Sequence, residues 1–147
     1  AYWASGGETE RQAIRWLTSI AATTWPYTNG VKDADLVSPD APLLDQLGLD
    51  RPGNQEIQLD LFYDYRTNIP LYPAWQADRR EHRPPALVVW GANDEIFVGA
   101  GAAPYKRDLP DAEIHILDTG HFALETHGAE IAQLMGDFLA RRLPAVR

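Results

Sequence analysis

Two short apolar runs constrain this chain more than anything else in it: Ala86–Trp90, reading ALVVW, and Glu113–Leu117, reading EIHIL. Each is bounded by breakers, with Pro84-Pro85 before the first and Pro110 before the second, and each leads into a glycine-containing turn. The intervening segment is long enough for a crossover helix, so the pattern predicts a β-α-β unit with two parallel strands. Parallel strands present their C-terminal ends on one edge, where the loops of open α/β sheets bind ligands. Asp94 lies just past the first run and His121 just past the second. The spacing therefore brings a carboxylate and an imidazole side by side. An acid orienting a histidine base is two thirds of a nucleophilic triad.

The region before these strands reads as helix and loop. Ser5-Gly-Gly-Glu8 and Thr9-x-x-Gln12 fit capping boxes, and Ala13, Trp16, Leu17, Ile20 and Ala21 recur at helical spacing, predicting a helix over 8–22. Trp25-Pro26 is expected to stop it, with a turn at Asn29-Gly30. Ser38-Pro39 opens a short helix with Leu43, Leu44 and Leu47 on its apolar face and Gly48 as its close. Asn54 is a candidate cap for the next helix, on which Ile57, Leu61 and Tyr65 share a face, with Pro70 as its end. A helix over 73–81 carries Trp75. Pro104 predicts a short crossover helix that starts near it and stops before Pro110. Ile131, Leu134, Met135, Phe138 and Leu139 define the final helix, with Arg141 and Arg142 at its end and Pro144 beyond.

Composition narrows the function classes. Twenty-one acids against 13 Lys and Arg give a formal charge of −8, and basic residues never gather into a stripe, which argues against nucleic acid. No apolar run approaches membrane-spanning length, so a soluble, cytoplasmic protein is expected, with no membrane partner. The absence of Cys removes disulfides, thiolate metal sites and a Cys nucleophile. No His-Glu-x-x-His or other tight ligand spacing occurs, so neither metal nor cofactor is expected. Five Trp and six Tyr suggest an aromatic-lined pocket, or simply core and interface rings.

Two parallel strands alone do not make a stable sheet, because such strands normally lie between others. The order acid then histidine, in the turns Trp90-Gly-Ala-Asn-Asp94 and Asp118-Thr-Gly-His121-Phe122, resembles the C-terminal half of an α/β-hydrolase of the epoxide hydrolase and haloalkane dehalogenase group. The resemblance implies an α/β fold class: a helical cap segment over 1–70, then a β-α-β-α tail of the parallel sheet over 71–147. The segment Asp64-Tyr65-Arg66-Thr67-Asn68 resembles the place where epoxide hydrolases carry a cap tyrosine followed by arginine. A nucleophile elbow and the early His-Gly segment of the oxyanion hole occur nowhere in the sequence. The resemblance places both upstream. This chain alone is then expected to be inactive, needing the N-terminal half of the fold or a partner on its sheet edge.

On this reading the catalytic residues are Asp94, His121 and Tyr65, with Asp118 and Glu95 as alternative acids for the histidine. Tyr65 would donate its phenolic proton to an epoxide oxygen, or else is a packed helix tyrosine. Tyr27, Trp25, Tyr72, Trp75 and Phe122 are candidates for lining the space of a small, apolar to moderately polar organic substrate; Tyr27, Tyr63 and Tyr72 also compete to be a second phenol. Trp90 and Phe122 would pack around the two turns, and Arg66 would fix the cap by a salt bridge. His82, His115 and His127 are expected to be structural or solvent-facing. Epoxide hydrolysis through an Asp-His-Asp triad is the favoured chemistry, with haloalkane dehalogenation, serine esterase or haloperoxidase-like hydrolysis as alternatives. A non-catalytic binding module is the rival class.

Overall fold

A computed structural model describes residues 2–142, apart from the side chains of Trp3 and Ala4. Pro144 lies outside the described residues. The elements run α1 (Tyr2–Ser5), α2 (Glu8–Ile14), a 3-10 turn (Arg15–Thr18), α3 (Ile20–Thr28), α4 (Asp40–Leu49), α5 (Asn54–Asp64), a 3-10 segment (Tyr65–Leu71) and α6 (Tyr72–His82). Then follow β1 (Leu87–Gly91), α7 (Tyr105–Asp108), β2 (Glu113–Leu117) and α8 (Ala123–Arg142). The chain forms two compact units: residues up to Trp25 with Ser38–Trp75, and Pro26–Val37 with Gln76 onward.

The first unit is helical and differs locally from the pattern read in its sequence. The helix expected over 8–22 is broken, because Ser19 is extended (φ −86°, ψ 156°) and restarts the chain as α3. Its Oγ accepts from Ala22 N at 3.4 Å. Pro26 does not stop α3 but lies in it; lacking an N–H, it leaves one helical carbonyl without its usual donor, and the helix ends at Thr28. The expected capping boxes are not formed: the cap of α2 is Gly7, with no side-chain bond, and Gln12 Nε2 donates to Glu8 Oε1 instead. Asn54 does not cap α5 either. Gly53 takes that position in the left-handed region (φ 84°), and Asn54 Nδ2 donates to the Gly48 carbonyl. Gly48 lies inside α4 rather than closing it.

Burial corrects the expected apolar faces. Leu43, Leu44 and Leu47 of α4 are exposed, as are Ile57 and Leu61 of α5; Leu59 is the fully buried residue of α5 and Pro42 the buried one of α4. Tyr2 is buried beside Leu59 and donates its hydroxyl proton to the Leu59 carbonyl at 3.1 Å. Ion pairs do much of the remaining joining. Arg11 meets Glu56 at 2.9 Å and Asp60 at 2.6 Å, and Arg15 also engages Glu56. The two guanidinium groups, through hydrogen bonds led by that from Arg15, hold the Glu56 carboxyl down at about 2. Arg66 makes no ion pair among the described residues; its guanidinium lies 3.5 Å from the centre of the Tyr63 ring and donates to the Tyr63 carbonyl.

The second unit holds a parallel pair of strands in the register Leu87↔Glu113, Val88↔Ile114, Val89↔His115, Trp90↔Ile116 and Gly91↔Leu117. The crossover is short: a 3-10 turn at Gly99–Gly101 and then α7, which opens after Pro104 and ends before Pro110. α8 packs on β1, leaving an apolar groove of about 380 Å³ lined by Leu87, Val89, Ile131, Met135, Phe138 and Leu139. The backbone of α8 is kinked at His127 (φ −121°, ψ 23°). Arg141 of its last turn reaches Glu113 of β2 at 2.6 Å. Asp108 is buried and accepts from Arg80 Nη1 at 2.6 Å. Among the described residues, no helix is long and apolar enough to cross a membrane.

Candidate active site

The strand ladder does not stop where the strands end. Ala92 N donates to the Leu117 carbonyl at 2.8 Å and Asn93 N to the Thr119 carbonyl at 3.0 Å. These two bonds lay the turn after β1 directly against the turn after β2. Glycine is required at the crossing: a Cβ on Gly91 would sit 2.2 Å from the Gly120 carbonyl oxygen and 2.6 Å from that of Thr119. Both obstacles are backbone, so neither can swing away.

This contact delivers Asp94 and His121 to each other. His121 Nδ1 lies 3.0 Å from Asp94 Oδ2. The other carboxylate oxygen accepts from the backbone amides of Ile96 at 2.8 Å and Phe97 at 2.9 Å. Asp94 is 8% exposed. Burial pushes its carboxyl up, but the bonds from His121, Phe97 and Ile96 together outweigh burial and hold it below the usual aspartate value. An ionised carboxylate only accepts, so Nδ1 carries a proton, and in the neutral ring Nε2 is then the nitrogen with the lone pair. That is the tautomer a general base needs.

Aromatic rings flank the imidazole on two sides. Phe97 lies 5.3 Å away, centre to centre, and Phe122 lies edge-on at 4.9 Å. Phe122 in turn stacks on Tyr27 at 4.2 Å, and Tyr27 is buried. Phe97 carries no motif of its own in the sequence; its place is fixed by the Asp94 bond to its amide and by Trp90 Nε1 donating to its carbonyl at 2.7 Å. The turn bearing His121 is anchored from below by Thr119, whose buried hydroxyl shares a 2.8 Å hydrogen bond with that of Thr126 on α8. His127 Nδ1 bonds to the same Thr126 hydroxyl at 2.9 Å.

The other candidate acids are engaged differently. Asp118 accepts from Asn93 Nδ2 at 3.0 Å and faces Lys32 Nζ at 3.8 Å. Glu95 is exposed and has no ion pair among the described residues. Of the remaining sequence candidates, Tyr65 and Tyr72 meet in the first unit, with their hydroxyl oxygens 2.7 Å apart. Hydrogen bonding to Tyr72 raises the Tyr65 phenol above its usual value. Trp75 stands edge-on to Tyr72 at 5.3 Å, and Trp25 is exposed in the same unit. No group of three His, Cys, Asp or Glu suited to a metal ion occurs among the described residues.

Strand-crossover-strand topology with an acid and a histidine on adjacent turns is the arrangement of a hydrolase built on a parallel sheet. The chain belongs to the alpha/beta hydrolase fold family, whose sequence model matches residues 7–128. It is also similar to an uncharacterized hydrolase of Saccharomyces cerevisiae, 45% identical over 123 residues, which cover 84% of this chain and 42% of the yeast protein. The chain thus spans less than half the length of that relative.

Proposed function

We propose that Asp94 and His121 are the acid and base of a hydrolytic triad whose nucleophile lies upstream of these residues in a longer protein. The observation that carries this reading is the 3.0 Å bond between His121 Nδ1 and a buried, ionised Asp94, which leaves Nε2 free to take a proton. Asp94 fixes the tautomer and stabilises the imidazolium that forms when Nε2 accepts a proton. Residues 1–70 would then form most of the lid and 71–147 the end of the core.

Within the hydrolase class, the reading favoured here is epoxide hydrolysis. An upstream aspartate attacks a ring carbon, and the C–O bond breaks while the oxygen stays on the neighbouring carbon as an alkoxide that takes a phenolic proton. His121 then removes a proton from water, which attacks the acyl carbon of the resulting ester; collapse of the adduct expels the diol oxygen, which takes the imidazolium proton, and the proton left on the carboxyl returns to the phenolate, regenerating aspartate and phenol. The Tyr65–Tyr72 hydroxyl pair supports this choice over dehalogenation, because phenols donate to a developing alkoxide. Tyr27 and Phe122, stacked on each other beside the His121 ring, suit an apolar organic substrate.

The test uses the longer protein with a styrene oxide type substrate. Tyr65→Phe should lower turnover by at least about tenfold, since it removes a donor to developing negative charge. Unchanged turnover would return Tyr65 to a packing role. Hydrolysis of aryl esters but not epoxides would replace this reading by a serine esterase.

A further inference from the structure

His121 is three residues from a second carboxylate, Asp118, in the same turn, yet its hydrogen bond goes to Asp94 across the sheet edge. An acid three residues away in the same turn is a potential competitor for the ring, so what holds it elsewhere bears on which acid His121 takes. Asp94 is prepared for it: two backbone amides occupy Oδ1, leaving Oδ2 for the ring. Asp118 is held elsewhere. Its Oδ1 accepts from Asn93 Nδ2, and its Oδ2 faces Lys32.

Asn93 is well anchored for this task although its side chain lies at the surface. Its backbone N–H is bonded to Thr119, and its Nδ2 donates a second bond, at 2.9 Å, to the carbonyl of Gly30. The Asn29–Gly30 turn is itself pressed against both strand-end turns. A Cβ on Gly30, which has φ +74°, would lie 2.5 Å from the Asn93 carbonyl oxygen, and one on Gly120 would lie 2.0 Å from that of Asn29. One amide group thus ties together three turns and one surplus carboxylate.

We propose that Asn93 is a positioning residue that selects the acid of the pair, tethering Asp118 to the Asn29–Gly30 turn so that Asp94 alone engages His121. Its value for catalysis rests on the triad reading above, whereas the tether itself is tested at the imidazole. The titratable and charged groups on the segments around the ring are Asp94, Glu95, Asp118, Lys32, Asp33, Glu125 and His127, and only the two aspartates Asp94 and Asp118 compete for Nδ1 in this scheme.

The experiment follows the His121 ring by NMR in histidine-labelled chain, with the signal assigned by loss in His121→Gln. In the parent, Asp94→Asn should move the His121 Nδ1–H proton resonance clearly upfield, because it removes a charge-assisted hydrogen bond, and Asp118→Asn should leave that resonance in place. In the Asn93→Ala background, Asp118→Asn should shift it by at least half as much as Asp94→Asn does in the parent. A merely structural role for Asn93 would leave the Asp118→Asn effect the same in both backgrounds, and that result overturns the assignment. So does a large Asp118→Asn effect already present in the parent. If Asn93→Ala loses amide dispersion, Asn93→Leu, which removes the donor without emptying space or adding a charge, is read by the same two criteria. Absence of epoxide turnover in the longer protein would sink the function proposed above without touching this outcome.

Discussion

Each of the two units of this chain is ordered internally in a different way. Around the strands of the second unit, order comes from backbone meeting backbone: the β1–β2 ladder, its continuation through Ala92 and Asn93, and glycines where a side chain would collide. In the first unit it comes from a few buried side chains, chiefly Leu59 and Tyr2, and from a half-buried network of Arg11 and Arg15 with the exposed acids Glu56 and Asp60, while Leu43, Leu44, Leu47 and Leu61 are exposed. Backbone contacts fix positions to fractions of an ångström; ion pairs at the surface tolerate movement and contribute little each. Asp94 and His121 lie on the first kind of support.

That contrast is open to direct attack. Gly91→Ala should have the largest effect, destabilising the second unit by about 3 kcal/mol or more, because its Cβ meets two carbonyl oxygens that cannot rotate away. The urea midpoint should fall, and the His121 ring signal should shift with it. By contrast, Gly48→Ala in α4 meets nothing within 4 Å and should stabilise the first unit by about 0.5–1 kcal/mol through helix propensity, read as a higher thermal midpoint. A loss of stability there would mean that α4 is packed more tightly than its exposed leucines indicate.

The smallest expected effect is pH-dependent. Glu56 is held at about 2 in the folded state against an ordinary value of 4.5, so its contribution to stability is complete above the ordinary value and is lost as pH falls toward 2. Glu56→Gln should therefore separate from the parent in thermal midpoint at neutral pH and converge with it in acid. A gap that persists at pH 2 would show that the side chain acts by packing rather than charge.

The same contrast explains what could be read from the sequence. The strands were legible because short apolar runs between prolines and glycine turns leave few alternatives, and β2 occupies Glu113–Leu117 as the pattern predicts. The proximity of Asp94 and His121 followed from topology alone. In the helical region, periodicity pointed to Ile57, Leu61, Leu43, Leu44 and Leu47 as inward-facing, whereas Leu59 is the buried one. A period identifies an apolar stripe but not what covers it. Capping is hard to read for a related reason: Ser and Thr near a helix start have several local partners, and Gly7 and Gly53 hold the cap positions. The positions of Phe97 and Asn93 have no local signature in the sequence, because they arise from bonds across a turn and between turns.

The most direct test of Asp94–His121 as the hydrolytic pair is to trap the step that follows nucleophilic attack. His121→Gln in the longer protein, incubated with an epoxide and examined by intact-protein mass spectrometry, should retain one substrate mass per chain while steady-state turnover falls by about 10³-fold or more, because no base remains to activate water. Steady-state turnover within about tenfold of the parent, with no retained mass, would contradict the assignment of His121 as the base.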